Sequence, residues 1–195
     1  MSNIVDSGAV LGQRLREERA RRGWSLADLA DASGVSRAMI SRIERGESSP
    51  TAAVLGKLSA ALELSVSALL SAGAVSEPVE PAPGGVRRDE DVPEWRDPET
   101  GYLRRQVSTP TFPVDVTEVL LPPGTRVPYP AAAYAFIAQL VWVLHGTLTL
   151  VDGADTHLLE GGDTFELGTP RPRVFANDTG HHCRYVVVVT RRATP

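Results

Sequence analysis

The chain has 195 residues, 42% hydrophobic and 23% charged, with a formal net charge of −4 and a single cysteine, Cys183. This composition is that of a folded globular protein and excludes wholesale disorder, while one cysteine excludes an internal disulfide and a clustered cysteine metal site. No apolar run reaches the roughly 18 residues of a membrane helix, and the opening MSNIVDSGAV lacks a secretory pattern, so a cytoplasmic protein without a membrane partner is expected.

The acidity is uneven. Residues 1–72 carry nine Lys and Arg against eight Asp and Glu, whereas residues 73–195 carry eleven against sixteen. Five arginines, Arg14, Arg16, Arg19, Arg21 and Arg22, crowd the first segment. Phosphate binding needs one local positive face, so the overall charge does not exclude a nucleic-acid partner.

In chain order, the pattern predicts five short helices. The first, near Val10–Arg22, sets Leu11 and Leu15 on one face. Ser25 reads as an N-cap, with Asp28 closing a capping box, for a helix over Leu26–Ala32. Gly34 makes a turn, and Ser36 caps a third helix that ends at Gly46. A fourth helix starts near Thr51, after Pro50, and a fifth, capped by Ser65, carries Leu69. The stretch GAVSEPVEPAPGG then resists both helix and central strand. It divides the chain into an all-α domain (1–72), a Pro/Gly-rich linker (73–86) and an all-β domain (87–195).

Two helices joined by a tight glycine turn are a helix-turn-helix, whose second helix enters the DNA major groove. In the helix from Ser36, Ile40 and Ile43 must face inward with Val35, which leaves Arg37, Ala38, Ser41, Arg42 and Arg45 outward. Arginine grips the guanine edge bidentately, alanine meets a thymine methyl, and Ser25 and Ser36 sit at helix starts suited to phosphate. Residues 23–62, GWSLADLADASGVSRAMISRIERGESSPTAAVLGKLSAAL, closely resemble the phage-repressor-like, or Xre, helix-turn-helix family. That resemblance implies base reading by Arg37, Ala38 and Arg42. It also implies phosphate contacts near Ser25, Ser36 and Arg45, and an internal salt bridge between Arg19 and Glu44. Arg16, Arg21 and Arg22 read as solvated surface charges.

From Val114 the chain reads as strands: VDVTEVLL, a loop rich in Pro, Ala and Tyr, IAQLVWVLHG, TLTLVDG, HLLEGGDTFEL, PRPRVFAN and RYVVVVT. With Gly124, Gln139, Gly146, Gly161-Gly162, Asp163 and Asn177, this order resembles the cupin family, a small double-stranded β-helix barrel. Cupin enzymes hold a metal with three histidines and a glutamate. Here Tyr129–Tyr134 replaces the His-x-His pair, Gln139 the glutamate and Arg173 the last histidine, so neither metal nor cofactor is expected. His145 and His157 read as exposed, and Cys183 as a small buried thiol.

The expected architecture is therefore a five-helix DNA-binding head joined to a cupin barrel. The expected function is a dimeric transcription regulator acting on a palindromic double-stranded operator, and not an enzyme. Tyr129, Tyr134, Gln139, Arg173 and Phe175 would line a pocket for a small anionic effector, with Arg173 gripping the anion. Alternatives are an Xre-headed cupin metalloenzyme, or a closed barrel in which Arg173 meets an internal carboxylate and the domain only dimerises the head.

Overall fold

A computed structural model describes residues 7–70 and 85–191. Most of the expected linker, 73–86, lies outside these residues. The head contains α1 (Ser7–Arg21), α2 (Leu26–Ser33), α3 (Arg37–Glu44), α4 (Ala52–Ala61) and α5 (Val66–Leu70). The local signals explain the boundaries. Ser25 Oγ accepts from Asp28 N while Asp28 accepts from Ser25 N at 2.7 Å, a reciprocal capping box. Ser36, Thr51 and Ser65 accept from the backbone three residues on. Gly34 closes α2 at φ 66°, a left-handed conformation that side chains resist. Leu11, Leu15, Leu29, Val35, Ile40, Ile43, Leu55, Leu58, Leu62 and Leu69 are buried as the helix-forming core.

The second domain is two antiparallel sheets facing one another. β1 (Glu94–Arg96), β2 (Leu103–Gln106), β3 (Asp115–Leu121), β10 (Cys183–Arg191), β5 (Ile137–His145) and β8 (Thr164–Glu166) lie side by side in the order β1-β2-β3-β10-β5-β8. β4 (Arg126–Tyr129), β9 (Arg173–Ala176), β6 (Thr147–Asp152) and β7 (Asp155–Glu160) form the second sheet in the order β4-β9-β6-β7. Alternation along the strands sends Val119, Leu121, Val141, Val143, Leu148, Leu150, Phe175, Tyr185, Val187 and Val189 into the space between them. Asn177 ties the end of β9 to the loop before β10, donating to the carbonyls of Leu121 (2.9 Å) and His181 (2.7 Å). The glycine that follows β5, Gly146, has φ 81°, and a Cβ there would lie 2.7 Å from the His182 carbonyl oxygen.

Three strands depart from the expected pattern. β1 and β2 precede Val114, and β4 falls in the stretch read as a loop. Pro128 is tolerated inside β4 because β4 is an edge strand, where a missing N–H need not break a ladder.

The head is seated on the barrel. Asp97, buried after β1, accepts from Ala52 N at 2.6 Å through Oδ2, at the first turn of α4. Its Oδ1 accepts from Glu99 N and Thr100 N, so one carboxylate organises a barrel turn and caps a head helix. Ser65 bonds Asp115 (3.1 Å) and Ser67 bonds Thr117 (2.8 Å). Tyr129 of β4 lies against Gly56 of α4 so closely that a Cβ at Gly56 would come within 2.6 Å of the ring.

Candidate nucleic-acid interface and barrel cavity

The outward face of α3 presents Arg37, Ala38 and Arg42 to solvent. Ile40 and Ile43, at helical spacing, hold the opposite face in the core. Arg19 fixes the helix from behind: Nε and Nη2 grip the two carboxylate oxygens of Glu44 at 2.7 and 2.8 Å, and Nη1 donates to the Trp24 carbonyl at 2.7 Å. The Glu44 hydrogen bond raises the Arg19 pKa, so the brace is charged at any ordinary pH. Arg45 is also engaged, with its fork on Glu47 (2.6 and 2.7 Å) and Nη1 on Ser41. An arginine so bound presents less charge to a phosphate than a free one.

Arginines in and just after α1 converge on a buried carboxylate, while Arg16 is exposed as expected. Glu18 is buried, and Arg14, Arg21 and Arg22 converge on it at 2.7, 2.9 and 3.0 Å, with Arg22 also donating to the Leu62 carbonyl. Arg21 is exposed as expected, though paired, whereas Arg22 is half-buried, which corrects the expectation that it is a solvated surface charge. A buried carboxylate at the end of α1 recruits them, which ties α1 to the end of α4.

Between the sheets lies a cavity of about 40 Å³. Four of the residues expected to face a pocket, Tyr129, Tyr134, Gln139 and Phe175, line it together. Tyr129 is held edge-on by Tyr134 and Phe175, with ring centroids 6.5 and 5.9 Å away. Burial raises the pKa of Tyr129, Tyr134 and Tyr185, so their hydroxyls stay protonated and available as donors.

Arg173 is not brought to this cavity. Its side chain is fully buried, with Nε 2.9 Å from Asp152 Oδ1, Nη2 on the Thr169 carbonyl, and its guanidinium 4.5 Å above the Tyr134 ring. The internal-carboxylate arrangement is the one adopted. A guanidinium locked onto Asp152, with Gln139 in place of a carboxylate, does not fit the metal that cupin enzymes carry. His157 is half-buried against Phe165 (4.7 Å), not exposed as expected, whereas His145, His181 and His182 are exposed. Cys183 is buried, which pushes its thiol up to about 11.

Known proteins match this arrangement. The family described as Helix-turn-helix covers residues 15–69. The regulator SutR of Escherichia coli is 49% identical over 61 residues, 31% of this chain and 34% of that protein. SinR of Bacillus subtilis is 40% identical over 62 residues, 31% of this chain and 56% of SinR. The head is an Xre-type helix-turn-helix domain. The chain spans about a third to somewhat over half of the length of these relatives. The regulator PuuR of Escherichia coli aligns over both domains, 28% identical across 94% of this chain and 96% of its own length. In fold, an HTH_3-family transcriptional regulator from Vibrio cholerae superposes with a TM-score of 0.75 over 97% of this chain and 100% of its own, at 24% identity. The helix-turn-helix head is thus joined to a β domain of two antiparallel sheets, and this two-part fold is shared with that regulator.

One residue escaped the sequence reading. Arg104 of β2 points inward and lines the cavity, beside Tyr102, under the Xre-type head. Its signal was the spacing Tyr102-x-Arg104, which puts both on one face of a strand. The rule that arginine lies outside hid it.

Proposed function

We propose that the chain is a sequence-specific DNA-binding transcription regulator, cytoplasmic and dimeric, whose cupin-like domain serves as a sensor and not as an enzyme. The observation that carries the reading is the braced α3, with Arg37, Ala38 and Arg42 directed outward from a buried Ile40–Ile43 face. Arg37 and Arg42 supply bidentate guanine contacts, Ala38 a methyl contact, and the N-terminal hydroxyls of Ser25 and Ser36 phosphate contacts. Arg45 and Ser41 join them once Glu47 yields to phosphate. The names of SutR, SinR and PuuR, all HTH-type transcriptional regulators, support the regulatory assignment.

Two heads need a common base. The outer face of the six-stranded sheet supports a second copy of this chain as that base, because β5 is apolar on both sides. Val141 and Val143 face the core, while Leu140, Leu144 and Trp142, the last 46% exposed, face out beside Val186 and Val188. A strand apolar on both faces is one meant to be covered on both. The dimer would set two recognition helices at half-sites roughly 34–36 Å apart.

The test is selection of bound fragments from random DNA at stated salt, repeated with Arg42→Ala. The expected result is an enriched palindrome, with the variant losing about 1–3 kcal/mol on that site and its preference at one base pair. Equal weakening on all DNA would make Arg42 a phosphate contact. Absence of any enriched motif would overturn the reading.

A further inference from the structure

We propose that the barrel cavity beneath the head binds a small carboxylate anion, of one to three carbons, with Arg104 as its counter-charge. The inference rests on the reading of the cupin-like domain as a sensor and moves anion recognition from Arg173 to Arg104.

The argument begins with charge. A guanidinium cannot shed its proton in a protein, so a buried one must be compensated. Several buried or half-buried arginines follow this rule with a carboxylate, Arg173 with Asp152, Arg19 with Glu44, and Arg14 and Arg22 with Glu18, while half-buried Arg87 meets backbone carbonyls near the surface. Arg104, only 8% exposed, meets no carboxylate among the described residues. Its Nη1 donates to the Tyr102 hydroxyl (2.8 Å) and its Nη2 to Ser67 Oγ (3.2 Å). Its Nε has no hydrogen-bond partner among the described residues. Burial works against this charge, and what offsets it is tyrosine oxygen, from Tyr102 and Tyr129, and not a carboxylate.

The surroundings are rich in donors. A hydroxyl that accepts from a guanidinium has its own proton to give, and Tyr102 stands 3.5 Å from the Tyr129 hydroxyl. Tyr185 lines the same space, with Gln139 beside it. A positive fork ringed by phenol hydroxyls and an amide is matched by an anion with two planar oxygens. A cation would meet like charge there. Size narrows the class, since about 40 Å³ is far below the roughly 300–1,000 Å³ of sites that enclose drug-sized ligands.

The roof of the cavity belongs to the head. Ser59 of α4, with Ser65, Val66 and Ser67 at the start of α5, closes the space that Arg104 enters from β2. An anion on Arg104 therefore stabilises the docked arrangement of head and barrel, because only that arrangement completes its shell. This gives the sensor a direct mechanical link to the DNA-binding helices.

The experiment is calorimetric titration of the full chain with sodium acetate and sodium formate. Sodium chloride and methylammonium serve as probes of matched charge and size, and Arg104→Lys and Arg104→Met as variants. The expected result is one saturable acetate or formate site per chain, weakened by about tenfold to a hundredfold in Arg104→Met and by less in Arg104→Lys, which keeps the charge but loses the fork. The lysine variant and the unaltered chain keep the test alive if the methionine variant fails to fold. No saturable binding to the unaltered chain, equal binding by Arg104→Met, or preference for chloride or methylammonium would overturn the proposal. The DNA selection is independent: a palindrome without an anion site sinks this inference alone, and an anion site without DNA preference sinks the regulator reading alone.

Discussion

Replacing Gly56 by alanine tests the seating of the head on the barrel, because two effects of known size oppose each other there. In a free helix interior the change would stabilise by about 1 kcal/mol. Here the added Cβ would lie 2.6 Å from Tyr129 Cδ1 and 2.9 Å from Cε1. Unstrained carbon contacts are about 3.5–4.0 Å, so roughly an ångström must be found. The ring cannot swing away easily, since Tyr134 and Phe175 hold it edge-on from two sides. Overpacking of this kind costs about 1–3 kcal/mol, so Gly56→Ala is expected to destabilise the chain by about 1 kcal/mol net. With Tyr129→Ala the obstruction is gone and the same substitution should stabilise by about 1 kcal/mol. The assay is urea denaturation of the unaltered chain, both single variants and the double variant, read as a cycle. A rise in midpoint for Gly56→Ala in the otherwise unaltered chain would refute the seating, because it would mean that Tyr129 does not occupy the space over α4.

Two further outcomes follow from buried groups. Arg173→Ala should cost about 3–5 kcal/mol, since it strands Asp152 inside the barrel; thermal denaturation checks this, and an unchanged midpoint would show that the pair is solvated. Cys183, buried and titrating near 11, should resist a thiol reagent at pH 8 until the chain is unfolded. Its folded pKa is raised, so the stability its burial leaves intact at neutral pH should fall as pH rises above the ordinary thiol value, and labelling in the native state at pH 8 would contradict both points.

The helices were legible because their signals are local. Ser25 and Asp28 specify one end of α2 within four residues, and Gly34 the other. The inner strands were legible for a related reason: a run such as Tyr185-Val186-Val187-Val188-Val189 has few other uses. What escaped depends on distant partners. Glu94-Trp95-Arg96 and Leu103-Arg104-Arg105-Gln106 lie before Val114, where the strand pattern begins, and become strands only when β3 pairs with β2 and turns Arg104 inward. The fate of Arg173 likewise turned on Asp152, whose register opposite it comes from the β6–β9 ladder. The cupin resemblance named Tyr129, Tyr134, Gln139 and Phe175 of the cavity lining but not which arginine owned a carboxylate.

That difference between two arginines decides how a sensor of this build would work. Arg173 with Asp152 is a closed pair on the second sheet and, among the described residues, makes no hydrogen bond to the head. Arg104 donates to Ser67 of the head at 3.2 Å, and Ser67 in turn meets Thr117 of β3. A ligand drawing on Arg173 would have to act through the barrel wall. One drawing on Arg104 competes for, or completes, hydrogen bonds that already cross the interface. From there the route is short: α5 and α4 are neighbours, α4 packs on α2, and α2 is joined to α3 by the Gly34 turn. The coupling depends on the ligand preferring one docked arrangement over another, and Arg104 sits where such a preference changes the head's own contacts.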